Sequence, residues 1–149
     1  MSITIKQFLS KDTRHWLMGE NLLFPTAGTV RAWRDLGDPG TAYTFTTKKG
    51  DVKSDPCLRH YSTLEPAFDR YMKCTIPSFA FHKATIASGK PCWELTSKLW
   101  FRTILSIKTS EREITFKEFA NKVISFAKEK EFNIEEFVRQ AWKDVGIDV

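Results

Sequence analysis

Residues 115–145 read TFKEFANKVISFAKEKEFNIEEFVRQAWKDV, and their apolar positions repeat at helical spacing twice over. Phe116, Phe119, Val123 and Ala127 form one stripe; Ile134, Phe137, Val138, Ala141, Trp142 and Val145 form a second. Each stripe has its own start signal. Thr115 with Glu118, and Asn133 with Glu136, fit the box in which a capping side chain and a carboxylate three residues later satisfy free amides. The polar run Lys128-Glu129-Lys130-Glu131 is short enough to turn the second helix back on the first. The stretch therefore predicts an αα-hairpin whose apolar faces meet each other or share a sheet.

Outward from that hairpin the chain fits one domain, residues 1–149, large enough to bury roughly 68–70% of the surface its unfolded form exposes. A core of that size needs neither metal nor disulfide. Aromatic residues make up 13%, including 12 Phe and 5 Trp, so core and some surface both draw on them. Cys57, Cys74 and Cys92 include no closely spaced pair, and Met1 to Glu20 carries charges and no apolar run. Three free thiols in a cytoplasmic, reducing compartment are expected, with no membrane contact, since no run approaches the ~18 apolar residues of a span. The net charge of +5 lies on the first two thirds of the chain, where 14 Lys and Arg face 9 Asp and Glu; residues 101–149 carry 9 of each. Such a balance permits phosphate binding without requiring it.

The N-terminal residues Thr4-Ile5-Lys6-Gln7 match a capping box and predict a helix to about Ser10. Asp12 or Thr13 is expected to cap a second turn carrying Trp16, Leu17 and Met18, stopped at Gly19. All six prolines lie between Pro25 and Pro91, which predicts loops and short strands there. Within that region Ala42–Thr47 alternates Tyr43 and Phe45 with threonines, the clearest strand, and the Lys48–Asp51 turn leads to a second strand from Val52. Thr29–Trp33 is a weaker strand. Leu64–Met72 is expected to be helical, Ser78–Ile86 a strand, and Leu95–Ile107 a helix. The sum is an α+β domain: a small, mostly antiparallel sheet with flanking helices and the C-terminal αα-hairpin.

Chemistry is harder to find. Cys57-Leu58-Arg59-His60 offers one chelating pair, but Cys74, His82 and Cys92 are too dispersed to supply the second, so no metal and no cofactor are expected. Asp38 with Asp51-Val52-Lys53 superficially resembles the carboxylates and lysine of PD-(D/E)xK nucleases, though lysines and a glycine replace the expected apolar strand. Glu111-Arg112-Glu113-Ile114 looks like the ExE strand motif of mono-ADP-ribosyltransferases, in which the second glutamate activates the acceptor; solvated charges before a helix cap are the favoured reading. His60-Tyr61-Ser62 lacks the second half of a two-histidine phosphoesterase, and Ser88-Gly89-Lys90 is followed by proline rather than by a P-loop threonine. No catalytic residue is assigned.

Cations beside rings are more frequent. Arg31, Trp33 and Arg34 form one such group and Lys98, Trp100 and Arg102 another, with Arg59-His60-Tyr61 and Arg70-Tyr71-Met72-Lys73 as two more. With Trp93 the first two groups make up the expected binding residues, because interface energy concentrates in Trp, Tyr and Arg. The expected function is a small intracellular binding, accessory or inhibitory protein of viral type, acting on a protein complex. A nucleic-acid-binding protein is the alternative, and a metal-dependent nuclease or ADP-ribosyltransferase-like enzyme the further one.

Overall fold

The computed structural model of the chain describes residues 3–20, 22, 27–108 and 113–149. They divide into two compact units, residues 1–79 and residues 80–149.

The first unit begins with helix α1 (Ile3–Ser10). Gln7 is fully buried, and its Nε2 donates to the backbone oxygens of Thr13 at 3.2 Å and His15 at 2.7 Å. The glutamine thus fastens the chain after the helix, and Thr4, expected as the cap, lies inside α1. The turn expected after Asp12 is instead strand β1 (Leu17–Met18). It pairs antiparallel with β3 (Arg34–Asp35), so a long-range partner outweighs the local helical spacing of Trp16, Leu17 and Met18.

A second, three-stranded antiparallel sheet has the order β2 (Ala27–Val30), β4 (Tyr43–Thr46), β5 (Val52–Ser54). Val30 faces Tyr43, and Thr46 faces Val52 across the Lys48–Asp51 turn. The Tyr43–Thr46 strand and its hairpin therefore lie where the alternating pattern put them. After a 3-10 turn (Tyr61–Thr63) comes a four-residue helix, α2 (Arg70–Lys73), capped by Asp69, whose Oδ1 accepts from the amides of Tyr71 and Met72. The helix expected over Leu64–Met72 shrinks to this one turn because the capping aspartate stands only at its far end.

Helix α3 (Thr75–Ser88) replaces the strand expected over Ser78–Ile86. The β-forming residues Phe79, Phe81, Thr85 and Ile86 misled the local count. Ile76, Ala80 and Ala84, fourfold apart and fully buried, mark the helical face. The boundary between the two units falls inside this helix.

In the second unit α4 (Thr96–Ser106) buries Thr96, Leu99, Trp100 and Thr103, a helical stripe. The expected hairpin follows as α5 (Phe116–Ala127) and α6 (Glu135–Asp144). Thr115 Oγ1 accepts the Glu118 amide, and the Glu118 carboxylate accepts the Thr115 amide, so the first capping box is formed. The second is not: Asn133 has φ +50, Ile134 occupies the cap, and no side chain caps α6. Trp142 is the centre of this unit's core, stacked on Trp100 with ring centroids 6.2 Å apart and meeting Phe119 edge-on at 6.0 Å. Glu111 and Arg112 of the ExE stretch lie outside the described residues.

Candidate functional site

One concavity of the first unit is a cleft of about 330 Å³ lined by Trp33, Arg34, Tyr43, Asp55, Cys57, Tyr71 and neighbouring Pro56, Asp69 and Met72. Four segments build it. β3 supplies Arg34 with Trp33 just ahead of it, β4 supplies Tyr43, the chain after β5 supplies Asp55 to Cys57, and α2 supplies Tyr71 and Met72. Trp33 stacks on Tyr43 at 6.1 Å, and Tyr43 tilts against Phe45 at 5.7 Å, so one wall is aromatic. Trp33 nevertheless keeps 48% of its surface exposed.

Asp55 holds the frame. It is only 8% exposed, and its Oδ2 accepts from the amides of Gly40 at 3.0 Å and Ala42 at 3.1 Å, while Oδ1 accepts from the Cys57 amide at 3.0 Å. Three backbone donors from two segments on one carboxylate fix the loop before β4 against the loop after β5. The same carboxylate shapes the electrostatics beside it. Burial pushes the Cys57 thiol up to about 12, and hydrogen bonding to Asp55 together with that negative charge adds to the effect. Burial, then the charge of Asp55, also raises the Tyr43 phenol.

Arg34 is the cation of the cleft. Its Nη1 donates to Cys74 Sγ at 3.3 Å. Burial works against its charge, and the Cys74 contact with the nearby Cys57 and Asp55 more than offsets that, leaving the guanidinium above its ordinary value. A thiol is a weak acceptor, so this partner is one that a stronger acceptor displaces.

The sequence-derived binding residues are distributed over both units. Trp33 and Arg34 line the cleft. Arg31 lies apart from it, paired with Asp35 at 2.9 Å and donating to Thr41. In the second unit Trp100 is 9% exposed and stacked in the core, Trp93 is partly buried, and Lys98 is exposed. Arg102 pairs with Glu129 at 2.9 Å and Glu131 at 3.2 Å and lies over Phe126. Tyr43, Asp55, Cys57 and Tyr71 went unassigned in the sequence. Tyr71 stands in the cation–aromatic run Arg70-Tyr71-Met72-Lys73 and was within reach of that signal; Cys57 was read only as half of a chelating pair, and Tyr43 and Asp55 carry no local mark of binding.

Of the weaker catalytic constellations, Asp38 pairs with Arg59 at 2.8 Å, and Asp51 belongs to the β4–β5 turn, where its amide donates to Thr47 Oγ1 at 3.2 Å. Neither arrangement is that of a nuclease centre.

Comparison with known proteins identifies what local motifs do not. The family described as thermolysin metallopeptidase, alpha-helical domain, matches residues 1–147. An extracellular metalloprotease of Pectobacterium carotovorum subsp. carotovorum is 31% identical over 150 residues, covering 97% of this chain and 42% of the relative. Protease PrtS of Photorhabdus sp. (strain Az29) is 28% identical over 141 residues, covering 93% and 38%. Among solved structures, the precursor of protealysin, a metalloproteinase from Serratia proteamaculans, superposes with a TM-score of 0.79 at 26% identity, covering 97% of this chain and 45% of that one. The chain thus spans about two fifths of the length of the curated relatives it matches.

These matches overturn the functional expectations. The viral-type accessory or inhibitory binder, the nucleic-acid-binding alternative, and the nuclease or ADP-ribosyltransferase all give way to a peptidase family that matches nearly the whole chain. Aromatic residues beside cations build a core stack and a cleft wall here, which explains why their count pointed elsewhere. The cytoplasmic expectation falls with them, since a matched relative is named extracellular. Three free thiols do not by themselves distinguish the compartments. Among the described residues no helix is long and apolar enough to cross a membrane.

The family description implies a metal. Among the described residues, no three His, Cys, Asp or Glu side chains gather to hold one. His60 of the CxxH pair turns its Nδ1 to Ser62, accepting the Ser62 amide at 3.2 Å, and Cys57 holds its proton at neutral pH. These donors do not fit a metal ion.

Proposed function

The chain belongs to the thermolysin metallopeptidase family, matching its alpha-helical domain, and from that membership we propose that it forms the substrate-receiving part of an extracellular peptidase. The observation that carries the proposal is the cleft in which an arginine faces an aromatic wall. An extended peptide meets both needs of such a lining. An apolar side chain of the peptide lies against Trp33, Tyr43 and Tyr71, and a backbone carbonyl or terminal carboxylate accepts from Arg34 in place of the Cys74 sulfur. The frame around Asp55 keeps the cleft in one shape before the peptide arrives, so little ordering is required on binding. Peptide-bond hydrolysis is proposed as the activity that this domain serves.

Titration calorimetry of the purified chain with short peptides tests the assignment. Peptides carrying one large apolar residue are expected to bind at least tenfold more tightly than the same peptides with aspartate there, since ~1.4 kcal/mol corresponds to a factor of ten. Arg34→Ala is expected to weaken binding by about tenfold, and Arg34→Lys by nearly as much, because lysine lacks the planar fork. Peptide affinity unchanged in both Arg34 variants would refute the assignment of this cleft.

A further inference from the structure

Arg34 connects two cysteines that are far apart in sequence. Cys74 is exposed and receives the Arg34 Nη1 donor at 3.3 Å. Cys57 is half-buried and lines the cleft beside Arg34. The two segments are clasped at the adjoining positions. Thr75 Oγ1 accepts from the Leu58 amide at 2.9 Å and lies 2.9 Å from the Leu58 oxygen. Residues 57 and 74 are therefore the immediate N-terminal neighbours of two residues in direct contact, and Cys74 is among the groups that raise the Cys57 thiol. Disulfide geometry requires this kind of approach, with Cα atoms about 4.4–6.8 Å apart. The third cysteine, Cys92, is fully buried in the other unit.

We propose that Cys57 and Cys74 are a thiol modification site, closed into a disulfide by exchange with an external small-molecule disulfide. The thiolate of the exposed Cys74 attacks one sulfur of that disulfide, forming a mixed disulfide and releasing one small thiolate. Cys57 then loses its proton, and its thiolate attacks Cys74 Sγ, displacing the second small thiolate. Two cysteine thiols are oxidised, one external disulfide is reduced to two thiols, and the two cysteine protons end on those thiols. The second step is the slower, because the Cys57 thiol is held protonated beside Asp55. Closure ties the cleft wall at Cys57 to the residue preceding α3 and turns the thiol that Arg34 contacts into a disulfide sulfur. None of this depends on the peptidase assignment.

Oxidised glutathione added to the purified chain, followed by non-reducing tryptic mass mapping, tests the site. Trypsin places Cys57 in peptide 54–59, Cys74 in 74–83 and Cys92 in 84–98, Lys90 being followed by proline. The expected product is a monomer lighter by two hydrogens in which the first two peptides are linked and the third is free. Cys57→Ser is expected to stop at a stable glutathione adduct on Cys74, while the wild-type map decides the case without it. Glutathione left on Cys74 of the wild-type chain, a link involving Cys92, links found only in dimers, or three unreacted thiols would each overturn the proposal.

Discussion

Asp55 Oδ2 accepts the backbone amide of Ala42 at 3.1 Å, and both residues are buried. With the Gly40 and Cys57 amides on the same carboxylate, this contact decides where the cleft walls stand. Asp55→Ala leaves three amides without their acceptor and is expected to destabilise the chain by about 3 kcal/mol. Asp55→Asn retains part of the acceptor capacity and is expected to cost less. Urea unfolding at neutral pH measures both, and equal midpoints for wild type and Asp55→Ala would contradict the framing role.

Gly28 on β2 sits opposite Phe45 of β4 with φ +117. A Cβ there would lie 2.3 Å from the Thr44 oxygen and 2.6 Å from Phe45 Cα, both backbone atoms that cannot yield without opening the strand pair. Gly28→Ala is expected to cost about 2–3 kcal/mol, combining left-handed backbone strain with the clash. Loss of hydrogen-exchange protection at the β2–β4 amides, with α5 and α6 amides protected as before, would locate the damage.

Trp142 is completely buried between Trp100 and Phe119. Trp142→Ala is expected to remove about 3–5 kcal/mol, the range for deleting a large aromatic from a packed core. Thr115→Ala, which removes only the α5 cap, is expected to cost about 1 kcal/mol. Thermal melts of the two variants are predicted to differ in that order.

The Cys57 thiol makes stability depend on alkaline pH. Unfolded, it titrates at its ordinary 9.0; folded, it is pushed up to about 12. Between those values the folded chain keeps a proton that the unfolded chain has lost, so stability falls as pH rises from about 9 toward 12. Below pH 9 both states hold the proton and this effect vanishes. Urea midpoints of wild type and Cys57→Ala are expected to converge or cross on going from about pH 8 to about pH 10.5, because the variant lacks this loss. A parallel decline in both proteins would exclude Cys57 as its source.

The C-terminal hairpin was legible because its signals are local. Apolar spacing and the Thr115–Glu118 box act within single turns, and both are seen in α5. The Tyr43–Thr46 strand and its turn were legible for the same reason. Misreadings came where a distant partner outweighed local spacing, as in β1, which exists because Leu17 meets Asp35. In α3, fully buried Ile76, Ala80 and Ala84 define a helical face despite strand-forming neighbours.

By itself the sequence determined an α+β chain with an αα-hairpin, and it brought forward Trp33 and Arg34 as residues suited to binding. Tertiary structure alone decided that these two share a cleft with Tyr43, Asp55, Cys57 and Tyr71, and that Trp100 stands in a core stack instead. The family likewise escaped every short motif, because its resemblance extends over residues 1–147 rather than residing in one run. The physical reason is the range of the interactions. Helical periods and caps act over three to four residues, whereas the cleft depends on contacts such as Asp55 to Ala42 and Arg34 to Cys74, whose order in space only the completed fold supplies.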